Sequence, residues 1–158
     1  MDKERIERAV SLFKEGYNCS QSVVAAFADQ YGFTEEQALK MSASFGGGIG
    51  RMRETCGAAC GLFMLAGFET GAVKGDDRKG KAANYALVQQ LAKEFIKRNG
   101  ALKCADLLGL SSNVPIVSTP EARTSQYYSK RPCAKMVEEA AKIWSDYMKN
   151  RIKKIKKR

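Results

Sequence analysis

From Thr55 to Phe68 the chain runs Thr-Cys-Gly-Ala-Ala-Cys-Gly-Leu-Phe-Met-Leu-Ala-Gly-Phe, with neither a charge nor a proline. A helix apolar nearly all round is stable in water only when other elements cover it on every side. The run falls short of the ~18–20 apolar residues that cross a bilayer. It therefore predicts a buried central helix over about 55–68, around which the remaining chain must pack. Cys56 and Cys60 lie four apart, so their thiols share one helix face, and Gly57 and Gly61 sit beside them. Each glycine costs a helix roughly 1 kcal/mol against alanine. In return it leaves a smooth strip on which a second backbone, or a bulky inorganic group, can come close.

The flanking sequence supplies helices to do the covering. Asp2 can cap a first helix with an Ile6, Ala9, Val10, Phe13 stripe, which Gly16 stops. Asn18 or Ser20 can cap a second, placing Cys19 at its start and running to Tyr31-Gly32. Thr34 and Gln37 form a capping box for a third, which ends near Phe45. A long helix is expected from Asp76 to Arg98, with Tyr85, Val88, Leu91, Ala92, Phe95 and Ile96 inward, ended by Asn99-Gly100. A short one begins near Cys104. Arg131-Pro132-Cys133 opens the last, whose apolar face is Val137, Ala140, Ala141, Trp144 and Met148. Ser111 to Tyr128 is irregular and suits a lid or a segment wrapped on a neighbouring subunit. The expectation is an all-α, single-domain bundle of about six or seven helices over residues 1–148, followed by a basic C-terminal tail at 149–158.

The formal net charge of +10 is concentrated at the end: Lys149 to Arg158 holds seven basic residues and no acidic one, and leaving them out gives +3. A nucleic-acid face needs basic residues spread over a folded surface with aromatics among them. The tail reads instead as a solvated helix end, with cations at the negative pole of the helix dipole. No membrane span and no signal-peptide core are visible, which points to a cytoplasmic protein.

The chain has five cysteines and no histidine. Without histidine, the usual proton shuttle near neutral pH and most catalytic zinc sites are excluded. Any chemistry must run on sulfur. An odd cysteine count in a cytoplasmic chain argues against a disulfide framework. Cys19, Cys56, Cys104 and Cys133 each fall at the start of an expected helix. There the partial positive charge and free N–H groups favour thiolate over thiol, or an anionic iron–sulfur cluster bound by thiolates. Arg51, Arg53, Lys103 and Arg131 add positive charge nearby. Cys60 reads first as a small buried apolar residue and second as a substitute ligand. The Gly46-Gly47-Gly48-Ile49-Gly50 break matches no nucleotide-binding loop. It is either a tight turn between helices or a set of bare N–H groups facing an anion held by the cysteines.

Cys56-Gly57-Ala58-Ala59-Cys60-Gly61 matches the CGAxxG signature of the C_GCAxxG_C_C family, and Gly16-Tyr17-Asn18-Cys19-Ser20-Gln21-Ser22-Val23 resembles that family's first-cysteine segment. The resemblance runs from about Ile6 to Met148. It implies a redox role and places the family's four characteristic cysteines at Cys19, Cys56, Cys104 and Cys133, with Cys60 extra to them. A similar cysteine region occurs in split-Soret cytochromes, where it accompanies haem. This chain has no Cys-x-x-Cys-His, so haem attachment is not implied.

Three functions follow as expectations. The first is an electron-transfer protein holding an iron–sulfur cluster on Cys19, Cys56, Cys104 and Cys133, with Gly57 giving clearance. It would serve a redox partner protein, as a homodimer. The second is a metal-free thiol–disulfide protein, an oxidoreductase, with Cys56 as nucleophile and Cys19 or Cys60 resolving. The third is a zinc-stabilised helical binding module.

Overall fold

The computed structural model describes residues 2–158. Eight α-helices are present and no strand among the described residues: α1 (Asp2–Lys14), α2 (Cys19–Ala25), α3 (Glu35–Ser42), α4 (Gly57–Thr70), α5 (Arg78–Asn99), α6 (Cys104–Leu107), α7 (Ser125–Lys130) and α8 (Cys133–Lys156). The all-α expectation holds. The helix beyond the expected six or seven is α7, a short element inside the segment read as irregular.

Local signals set most helix ends. The Asn18 side chain accepts from the Gln21 amide while Gln21 reaches back to the Asn18 amide, a full capping box at the start of α2. Thr34 and Gln37 repeat it at α3. The second helix ends earlier than expected, and a 3₁₀ turn over Ala28–Tyr31 carries the chain to Gly32.

The central helix is α4, with Ala58, Ala59, Leu62, Leu65 and Ala66 fully buried. It packs against α2, α5 and α8, while α1 closes over α2 and α8. Its closest neighbour is α2. A Cβ on Gly61 would lie 2.9 Å from Val23 Cβ and 3.1 Å from the Ser20 carbonyl oxygen, so glycine there is a packing requirement. On α8, Val137, Ala140, Ala141 and Trp144 are buried as expected. On α5 the buried face is Leu87, Leu91 and Phe95, whereas Tyr85 is 60% exposed and Ile96 41%. The inward face is thus narrower than the apolar pattern suggested, because α4 and α8 cover only one side of this helix.

The last helix continues through Lys156, so the basic stretch is an extension of α8. Two of its cations return to the body, Lys149 to Asp2 and Arg151 to Glu69. Among the described residues, no helix is long and apolar enough to cross a membrane.

Candidate functional site: a cysteine cavity at four helix starts

The cysteines begin helices at widely separated points in sequence. Cys19 is the first residue of α2, Cys56 is the N-cap of α4, Cys104 is the first residue of α6 and Cys133 the first of α8. These four helix starts converge. Cys19, Cys56, Cys104 and Cys133 all line one cavity of about 470 Å³, large enough for a small-molecule or inorganic ligand. Cys60 does not line it; its thiol points back at the Thr55 carbonyl, 3.7 Å away. Lys103 is likewise absent from the lining.

Short backbone links bring the elements together. The Cys56 amide donates to the Leu102 carbonyl at 2.8 Å, and the Cys104 amide to the Glu54 carbonyl at 2.6 Å. An antiparallel bridge between Thr55 and Lys103 joins the same two segments. Glycines then let the cysteines approach. A Cβ at Gly48 would stand 2.6 Å from Cys104 Cβ, and one at Gly57 would stand 3.2 Å from Cys19 Cβ and 2.7 Å from the Phe45 carbonyl. Both glycines line the cavity.

The glycine break is more than a tight turn. Gly47, Gly48, Ile49, Gly50 and Arg51 have φ between 57° and 76°, and Arg53 has 62°. This is a left-handed stretch through three residues that carry side chains, each held at a cost of roughly 1–2 kcal/mol. Among the described residues, the Gly47 and Gly48 amides donate to no main-chain carbonyl. The stretch also aims Arg51 and Arg53 at the cavity, whose lining further includes Arg123 and Arg131 but only one acidic residue, Glu121.

Three of these arginines hold the segment before α7. Arg51 donates from Nη1 to the carbonyls of Val117 at 2.6 Å and Thr119 at 2.5 Å. Arg131 pairs with Glu121. Arg123 donates to the carbonyls of Phe13 and Tyr17 at 2.9 and 3.0 Å, capping the end of α1, and its guanidinium stacks on the Phe13 and Tyr127 rings at 4.4 and 4.8 Å. The segment expected to form a lid or a subunit wrap is therefore a strap along the edge of the cysteine cavity, with Ser118, Pro120 and Glu121 in the lining. Arg123 escaped the sequence reading because its partners, Phe13 and Tyr17, lie more than a hundred positions away.

The expectation that helix starts lower every thiol pKa needs correction. Three of the four rise instead. Desolvation pushes Cys56 up to about 12 against the Ala58 and Ala59 amides that favour its thiolate. Burial also raises Cys104, although Arg53 opposes it. Cys19 rises through the neighbouring Cys133 thiol and through burial. Only Cys133 falls, to about 7, first through Cys19 and then, against burial, through Arg131, Arg123 and Arg53. Cys60 rises to about 11 by burial. Among the described residues, no group of three or more Cys, Asp or Glu side chains is arranged to hold a metal ion.

Fold and site together define a small helical protein with four cysteines and four arginines lining one cavity. The chain belongs to the C_GCAxxG_C_C family, described as "Putative redox-active protein", which matches residues 17–147. An uncharacterized protein of Archaeoglobus fulgidus is similar over 150 residues at 27% identity, covering 90% of this chain and 92% of its own length. No solved structure matches the chain.

Proposed function

We propose that this protein is an electron carrier that holds an iron–sulfur cluster on the thiolates of Cys19, Cys56, Cys104 and Cys133. The observation that carries the reading is that four cysteines from four helix starts line one cavity, although among the described residues they are not drawn into a metal-holding arrangement. The surroundings fit an anionic group. Four guanidiniums line the cavity against one carboxylate, the Gly47 and Gly48 amides are free of main-chain partners, and Gly48 and Gly57 leave space where any Cβ would collide. Burial raises Cys56 and Cys104 even with arginines nearby, and a bound metal displaces such thiol protons outright.

Each residue has a part in this reading. The four cysteines bind; Asn18 and its capping box orient Cys19; the pairing of 53–56 with 102–105 fixes Cys56 against Cys104. The strap, pinned by Arg51 and Arg131, keeps water from the sulfurs. When bound, such a cluster supplies one-electron transfer. A partner protein exchanges the electron, and assembly as a homodimer belongs to the same reading. Anaerobic purification or reconstitution, followed by iron and acid-labile sulfide determination, tests it. A brown protein containing both supports it. A colourless protein without either, or one containing a single zinc and no iron, defeats it.

A second reading, a metal-free dithiol, is favoured by Cys19 and Cys133 lining the same cavity, with Cys133 brought down to about 7. Here the Cys133 thiolate attacks a partner's disulfide to form a mixed disulfide. Cys19 then displaces the partner, leaving a Cys19–Cys133 disulfide and two partner thiols. This moves the nucleophile from Cys56 to Cys133 and keeps Cys19 as the resolving thiol. Disulfide mapping of the metal-free protein after mild oxidation distinguishes it.

A further inference from the structure

The four cavity arginines are not equivalent. Arg51 and Arg123 donate to main-chain carbonyls and Arg131 pairs with Glu121. Among the described residues, the one side-chain hydrogen bond of Arg53 goes to sulfur: Nη1 lies 3.8 Å from Cys104 Sγ. The position is costly. Arg53 has φ of 62°, which an arginine avoids unless its surroundings impose it. The backbone is held there at both ends, its amide donating to the Gly47 carbonyl at 3.3 Å and its carbonyl accepting from Ala105 at 3.2 Å. Glycine would fit this conformation without strain, so folding alone gives no reason for arginine.

We propose that Arg53 is the potential-setting residue of the cysteine centre, a positioning residue that acts on the bound cluster through the Cys104 sulfur. The inference rests on the iron–sulfur reading. A donor to a ligating sulfur withdraws electron density from it, and a fixed cation beside the centre stabilises the added electron. Both effects raise the reduction potential, since hydrogen bonds to sulfur and local charge are among the levers that set it. Arg53 and Cys133 line the same cavity, and the Arg53 charge helps lower Cys133.

The test is a redox titration of anaerobically reconstituted wild type, R53K and R53Q, with iron and sulfide measured on each sample, and circular dichroism and thermal melting of the metal-free forms with R53G added. R53Q is expected to titrate at a more negative potential than wild type at equal cluster content, with R53K between them. R53G is expected to melt no lower than wild type when metal-free, showing that the arginine is not there for the fold. Loss of the cluster from R53Q but not R53K, with unchanged circular dichroism, makes Arg53 a residue that holds the cluster instead and overturns the proposal. An R53Q potential equal to wild type at full cluster content overturns it, as does an R53G melting point well below wild type. A wild type that takes up no iron or sulfide fails the underlying iron–sulfur reading instead, a distinct result.

Discussion

Cys19, at the start of α2, and Cys133, at the start of α8, line the same cavity. The two are 114 positions apart in sequence, yet Cys133 is the one thiol at which burial does not prevail. Cys19 first, then Arg131, Arg123 and Arg53, bring Cys133 down to about 7. In the reduced, metal-free protein, Cys133 is therefore expected to react first with iodoacetamide, with a midpoint near pH 7. Cys56 and Cys60, pushed up to about 12 and about 11, should stay unreactive through pH 9. Mass spectrometry of the protein alkylated over a pH series reads this directly.

The same shifts set the pH dependence of stability. Cys56 and Cys60 have folded pKa values above the ordinary thiol range, so they favour the fold at low pH. That contribution falls as pH rises from the unfolded value of about 8.5 through the folded values of about 11 and 12. Cys133 has the opposite sign: its contribution is complete above about 8.5 and fades as pH falls through about 7. The reduced, metal-free protein should lose stability above pH 9, and C60A should shrink that loss. Denaturant melts at pH 8 and pH 10.5 provide the check.

Gly61 separates packing from chemistry. G61A drives a methyl group into Val23 and the Ser20 carbonyl at 2.9 and 3.1 Å, overpacking that costs about 1–3 kcal/mol. It should lower the melting temperature by several degrees. Gly57 abuts Cys19 and the Phe45 carbonyl inside the cavity, so G57A should reduce cluster loading as well as stability. Parallel thermal melts and iron determinations distinguish the two.

The strap hangs on its arginines. Residues 111–122 are exposed, and Arg51 alone supplies two hydrogen bonds to the strap's carbonyls. R51A should speed proteolysis within 111–122 several-fold while leaving the melting temperature nearly unchanged, because little apolar surface is buried there. Limited thermolysin digestion followed by mass spectrometry measures it, since the segment offers apolar cleavage sites but no Lys or Arg.

Features carried by neighbouring residues were legible in the sequence. The capping box at Thr34, the cap candidate Asn18 and the uncharged run of α4 are written within a few positions, and they gave the helices and the central element. The placement of Cys19, Cys56, Cys104 and Cys133 at helix starts was equally local. Their convergence was not, because it depends on packing between α2, α4, α6 and α8. Two features needed the structure altogether. The left-handed path through Ile49, Arg51 and Arg53 is imposed by tertiary contacts against residue preference. Arg123 finds its partners across the bundle. The thiol pKa values also departed from the helix-end argument, because desolvation at Cys56 outweighs the helix end, a balance that burial alone reveals.

The central claim is that four dispersed cysteines form one cofactor site and the fifth does not. The most direct measurement is the iron and acid-labile sulfide content per chain of anaerobically reconstituted wild type beside C19S, C56S, C104S, C133S and C60S. The account predicts matched iron and sulfide in wild type and C60S, and a sharp fall in each of the other four. Wild type without iron and sulfide, or a C60S variant that alone loses them, would contradict it.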